Sequence, residues 1–144
     1  MTNRPKVTFV VVARDAAEHL PVVFACLLAQ DYPKESLQCL FVDGSSVDGT
    51  RRLASEFLAL HPELDFSILD NPGRILASGW NAALAKADGD LIVRVDAHAE
   101  FPPDFVRRHV EAHALGHAIT GGPTTTTYEG GAADGIIALA ENSA

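Results

Sequence analysis

Apolar positions along this chain come in blocks, and the blocks alternate between two periods. Val7–Ala13 is an unbroken apolar run with several β-branched residues. Such a run predicts a strand covered on both faces. Leu20, Val23, Phe24, Leu27 and Leu28 then recur at helical spacing, with Pro21 suited to a first turn. Leu37–Val42 predicts a second strand, closed by Asp43-Gly44. Leu53, Phe57, Leu58 and Leu60 predict a second helix, stopped at His61-Pro62. Phe66–Leu69 reads as a short third strand, followed by the turn Asp70-Asn71-Pro72-Gly73. A third helix is expected over about 75–87, with Trp80 in the core. Leu91–Val95 is a fourth strand with Arg94 as its only charge, and Asp96 stands at its end. Pro102-Pro103 opens a helix carrying Phe105, Val106, Val110 and Leu115. Beyond it, Ala118–Thr120 predicts a short strand and Thr124–Thr127 has strand propensity without a visible partner. Ala132–Glu141 reads as the start of a helix.

Strands alternating with helices predict an α/β fold: a Rossmann-like, mostly parallel sheet with helices on both faces. Ligands of such sheets bind beyond the carboxyl ends of the strands. Arg14-Asp15, Asp43-Gly44-Ser45, the turn after Leu69 and Asp96-Ala97-His98 all fall at that edge. Several carboxylates gathered there repel one another unless a cation or a donor-rich ligand offsets them.

The chain has 144 residues, enough for one compact domain, and 47% of them are apolar, which argues against disorder. Its net charge of -8 and the absence of a Lys/Arg run exclude a general nucleic-acid surface. A phosphate ligand would need local help from a metal or from oriented amides. Cys26 and Cys39 lack metal or CxxC spacing and read as buried free thiols of a reducing, cytoplasmic compartment. No segment approaches the ~20 apolar residues of a membrane span, and the amino terminus is not a signal peptide.

Asp96 and His98 alternate across Ala97, so an extended backbone would point both at one ligand. A carboxylate with an imidazole suits Mn²⁺, whereas Mg²⁺ prefers more oxygens; the plain alternative is a loop cap and a solvated histidine. Asp43 either accepts hydrogen bonds from a base or ribose, or belongs to a well-capped turn with Ser45, Ser46 and Asp48. Arg14 can meet a base or phosphate. Asp15 is explained by capping a helix that starts near Ala16, with Glu18 in the box position. Arg74 either neutralises a diphosphate or lies on the surface. His109, His113 and His117 share a helix face but lack an HExxH pattern, so solvated or packing roles fit them better. No GxGxxG, Walker or GxSxG element is present.

In order along the chain, VTFVVVARDAAEHL, VDGSSVDGT, NPGRILASGWNAALAKADGDLIVRVDAHAEFP and Gly121-Gly122-Pro123 resemble the GT-A fold glycosyltransferases of family 2, closest to the succinoglycan and exopolysaccharide glucosyltransferases. The resemblance covers essentially all of the chain. It implies sugar transfer from a nucleoside diphosphate sugar, expected to be UDP-linked, to a saccharide or lipid-linked acceptor, with inversion. Ala13, Arg14, Asp15, Asp43, Arg74 and Asp96 match nucleotide-contacting positions, and Asp96 with His98 matches the metal-binding DxD element. His98 in place of a second Asp leaves Mn²⁺ and Mg²⁺ both open. The family's general base and acceptor-binding half are expected beyond Ala144. Residues 1–144 are therefore expected to be the nucleotide-sugar-binding portion, with transfer weak or lost in this chain alone. The parent is expected in the cytoplasm or at the inner membrane face. Two competing readings are a degenerate nucleotide-binding domain and a nucleotidyltransferase. The latter would want a Gly-rich basic loop where Arg14-Asp15-Ala16-Ala17 stands.

Overall fold

The computed structural model describes residues 4–121, 123–128 and 131–138. They divide into two units, with the boundary after Val106. The first unit contains β1 (Val7–Ala13), α1 (Leu20–Leu28), β2 (Leu37–Asp43), α2 (Thr50–Leu60), β3 (Asp65–Asp70), α3 (Leu76–Lys86) and β4 (Leu91–Asp96). Helix α4 (Phe105–Ala114) begins at its end. The strands form one parallel sheet in the order β3-β2-β1-β4. The expected fold class is the observed one.

Strand periodicity decides which helix covers which face. Val10 pairs with Leu40 and Val12 with Val42. Val10, Leu40 and Val42 form a cluster with Ala83 of α3, and Trp80 packs against it. Gly79 permits this contact: a Cβ there would lie 2.5 Å from Val12 Cγ1. The neighbouring strand positions meet α1 and α2 on the other face. There Phe24 stacks on Phe57 at 4.3 Å and lies 6.0 Å from Phe41. Phe66 of β3 approaches Phe57 edge-on at 5.1 Å. Such aromatic pairs contribute about 0.5–1.5 kcal/mol each beyond their buried area.

The amino edge of the sheet is tied by polar groups. Thr8 Oγ1 donates to Gln38 Oε1 at 2.7 Å, and that oxygen also accepts from the Asp88 amide. The Gly89 amide donates to Thr8 Oγ1. Both buried polar side chains are thus satisfied, as burial requires. Gln30 performs the same task at the α4 entrance, accepting from Val106 N–H and donating to the Pro102 carbonyl.

Several expectations change in the structure. Helix α1 starts at Leu20 and not near Ala16, and its N-cap is His19, with no side-chain cap. Cys39 is buried, and burial pushes its thiol up to about 12, but Cys26 is only partly buried. Trp80 is also only partly covered. Residues 118–120 form no strand. In the second unit, β5 (Pro123–Tyr128) pairs antiparallel with β6 (Gly131–Ala138). The helix expected from Ala132 is therefore a strand. Ile136 and Ile137 are β-branched, Gly135 weakens a helix, and the threonine run supplies an adjacent partner strand. Glu141 lies outside the described residues. Of the histidine stripe, His109 Nδ1 lies 2.5 Å from Thr120 Oγ1, and burial, aided by His113, lowers its pKa.

Candidate functional site

The carboxyl ends of β1 and β4 are neighbours, because Val12 pairs with Asp96. Between them opens a cleft of about 540 Å³. Ala13, Arg14, Asp15 and His19 line it from the β1–α1 side. Arg94, Asp96, Ala97 and His98 line it from β4, and Leu76 closes it from α3. The topology thus gathers five of the seven predicted site residues: Ala13, Arg14, Asp15, Asp96 and His98.

Asp43 and Arg74 do not line this cleft. Asp43, at the tip of β2, is 3% exposed. Its carboxylate accepts from the Ser46 amide at 3.2 Å and lies 3.6 Å from Arg51 Nη1. Arg51 also pairs with Asp70 at the tip of β3, and chiefly that contact raises its pKa. Arg74 is exposed in the loop before α3, with φ at 63°. Asp15 and Ser45 share that left-handed backbone, with φ at 49° and 60°. Left-handed residues other than glycine are uncommon, and here one falls in each loop after β1, β2 and β3.

A side-chain clamp holds two of those loops. The Asp15, Ala16 and Ala17 amides donate in turn to Ser46 Oγ, Thr50 Oγ1 and Asp48 Oδ2. Asp15 Oδ1 returns the contact by accepting from the Val47 amide at 2.8 Å. Asp15 is therefore a cross-loop staple and not a helix cap. Asp48 also accepts from Thr50 N–H and Oγ1–H, and the hydroxyl contact chiefly lowers its pKa. Ser46, Asp48 and Thr50 of VDGSSVDGT are thus explained by satisfying the amides of the ARDAA loop.

No comparable clamp accounts for the β4 tip. The strand ends at Asp96, and the Ala99 amide closes a turn onto the Asp96 carbonyl at 3.0 Å. Ala97 and His98 belong to that turn, so the extended geometry expected for His98 is absent. Ala97 does not turn away either: it is buried and lines the cleft. His98 reaches the cleft through the turn, with its ring centroid 6.0 Å from that of His19. Glu100 lines a different groove, beside α1.

Among the described residues no group of three His, Cys, Asp or Glu side chains is placed to hold a metal ion. At the β4 tip the cleft instead offers one carboxylate, Asp96, and one imidazole, His98, both exposed. That donor set fits a divalent cation that takes the rest of its shell from substrate phosphates and water.

Residues 8–135 match the family described as Glycosyl transferase family 2. The chain belongs to that family. Among solved structures, it is similar to the mannosyltransferase PcManGT of Pyrobaculum calidifontis, determined with GDP-Man and Mn²⁺. The TM-score is 0.75 at 30% identity, over 83% of this chain and 35% of that one. The family 2 chain is also similar to the succinoglycan biosynthesis protein ExoA of Rhizobium meliloti: 40% identity over 74 residues, 50% of this chain and 22% of that protein. The glycosyltransferase AglE of Haloferax volcanii is 25% identical over 88% of this chain and 42% of its own length. The chain thus spans less than half the length of these relatives.

Sequence reasoning missed three features of this family 2 site. Arg51 was hidden because its partners, Asp43 and Asp70, come together only when β2 pairs with β3. Asn71, 2% exposed, organises the β3–α3 loop through Ile75 and Ser78. His19 enters the cleft because α1 starts later than expected. Arg94, by contrast, carried a visible signal, as the lone charge in an apolar strand.

Proposed function

We propose that residues 1–144 form the donor-binding portion of an inverting family 2 glycosyltransferase that uses a nucleoside diphosphate sugar. The observation that carries this reading is the cleft at the β1 and β4 tips, where Asp96, His98 and Arg14 converge in a chain of this family. The mannosyltransferase solved with GDP-Man and Mn²⁺ supports a diphosphate donor and a divalent cation. The likeness to the succinoglycan protein supports a role in exopolysaccharide or cell-surface glycan synthesis, with a saccharide or lipid-linked acceptor. A UDP-linked hexose is the donor we favour, and the cytoplasm or inner membrane face the location.

In this reading Asp96 and His98 would hold Mn²⁺ or Mg²⁺. The bound cation supplies positive charge that offsets the leaving group. Arg14 binds and orients the phosphates from the β1 side. The clamp around Asp15 keeps the loop carrying Ala13 and Arg14 in place before the ligand arrives. Arg74 contacts the nucleoside end from the loop before α3, while Asp43 fixes the β2 tip through Ser46 and Arg51. In the whole enzyme the acceptor oxygen bonds to the anomeric carbon opposite the departing diphosphate, and its proton passes to a base.

Calorimetry of the 144-residue chain with UDP and GDP, each with and without Mn²⁺, tests the proposal. Metal-dependent binding that disappears in Asp96→Ala is the expected result. Absence of binding to either nucleotide in both conditions would refute it.

A further inference from the structure

The β4 strand treats its two faces differently. Val93 and Val95 are buried against the sheet's other layer, while Ile92, Arg94 and Asp96 point to the α3 side and are exposed. Residues two apart on a strand share a face, so Arg94 and Asp96 project side by side. The Arg94 guanidinium lies over the Trp80 ring of α3, 5.1 Å from its centroid. Its Nη2 stands 3.7 Å from Asp96 Oδ1, and both side chains are more than half exposed. Arg94 also lines the cleft.

Two weak contacts thus hold this cation in the cleft. An exposed ion pair at that separation and an exposed cation–π contact each contribute little. Neither uses the parallel N–H fork that makes guanidinium a strong ligand for phosphate. The indole Nε1–H beneath it is buried without a hydrogen-bond partner. Trp80 therefore serves this cluster through its ring face, as a platform.

We infer that Arg94 is a further donor-positioning residue: it is parked between Trp80 and Asp96 and transfers its guanidinium to the diphosphate when the donor binds. This rests on the proposed nucleotide-sugar site and adds to it a residue and a movement. Arg94 gives up its contact with Asp96 as the arriving phosphates receive its guanidinium, which would leave that carboxylate open to a cation. The parked arginine lowers the repulsion that Asp96 would otherwise present to an anionic ligand in a chain of net charge -8. Trp80 sets the position from which Arg94 moves.

The chain contains a single tryptophan, so its fluorescence reports the Arg94 stack directly. The experiment titrates the 144-residue chain with UDP, and separately GDP, in Mg²⁺, reading tryptophan emission and calorimetric heat together. The expected result is an emission change with the same midpoint as the heat. Arg94→Met should bind about tenfold or more weakly, the loss of a charge-assisted hydrogen bond to phosphate. It should also show no emission change at saturation. Arg94→Lys keeps the charge without the fork and should fall between them. Because Arg94 is exposed, both variants should keep the wild-type circular dichroism and melting midpoint. Wild-type-like affinity in Arg94→Met, with nucleotide binding intact in the parent, would overturn this inference alone. Failure of the parent to bind either nucleotide would remove the donor-site reading and this inference with it.

Discussion

The β2 and β4 strands lie on either side of β1 and end at the same edge, yet they are built for different work. All seven residues of β2 are buried, and its tip is closed by partners: Ser46 and Arg51 on Asp43. In β4 only Val93 and Val95 are buried, and its tip presents Asp96 and His98 to an open cleft. Ser46, Asp48 and Thr50 of the β2 loop are accounted for by the hydrogen bonds they accept from the β1 loop. The acidic and imidazole groups at β4 have no such structural employment. Acidic residues at strand ends are therefore not equivalent evidence of a ligand site. Those at β2 bear mainly on stability, and those at β4 mainly on binding.

Substitutions can break that contrast, and the largest effect belongs in β2. Phe41→Ala removes a ring 1% exposed that packs on Phe24 and Phe66. It should cost about 3–5 kcal/mol in urea unfolding, whereas Ile92→Ala on the exposed β4 face should cost under about 1 kcal/mol. Equal losses at the two positions would contradict the asymmetry.

The loop clamp should give an intermediate effect. Thr50→Val keeps the shape but leaves the Ala16 amide without its acceptor. The expected loss is about 1–3 kcal/mol, measured by thermal or urea unfolding, with Asp96 and His98 unaffected.

A smaller effect is pH-dependent. Asp48 has its folded pKa lowered, first by the Thr50 hydroxyl and then by backbone amides. Its contribution is therefore present above the ordinary carboxylate range, near about 4, and is lost as pH falls through the depressed folded value. Asp48→Asn should flatten the acid side of the stability profile relative to the parent. An unchanged acid limb would assign that slope to other carboxylates.

The smallest change in stability is expected where the binding effect is greatest. Asp96→Ala should unfold within about 0.5 kcal/mol of the parent, as exposed positions do, while nucleotide-dependent heats vanish. A large destabilisation would make Asp96 a structural residue after all.

Periodicity by itself determined the alternation of strands and helices through Ala114, since continuous apolar runs and helical stripes report local geometry and burial directly. It also marked the strand ends where Asp15, Asp43 and Asp96 stand. The final strand was misread because Ala132–Ala138 has no strong local period, and pairing with β5 settled its state. Which tips share a cleft, that Asp43 faces Arg51, and that Arg94 rests on Trp80 were decided only by tertiary structure. Those contacts join residues on different elements, and the strand order that brings the elements together leaves no trace in local spacing.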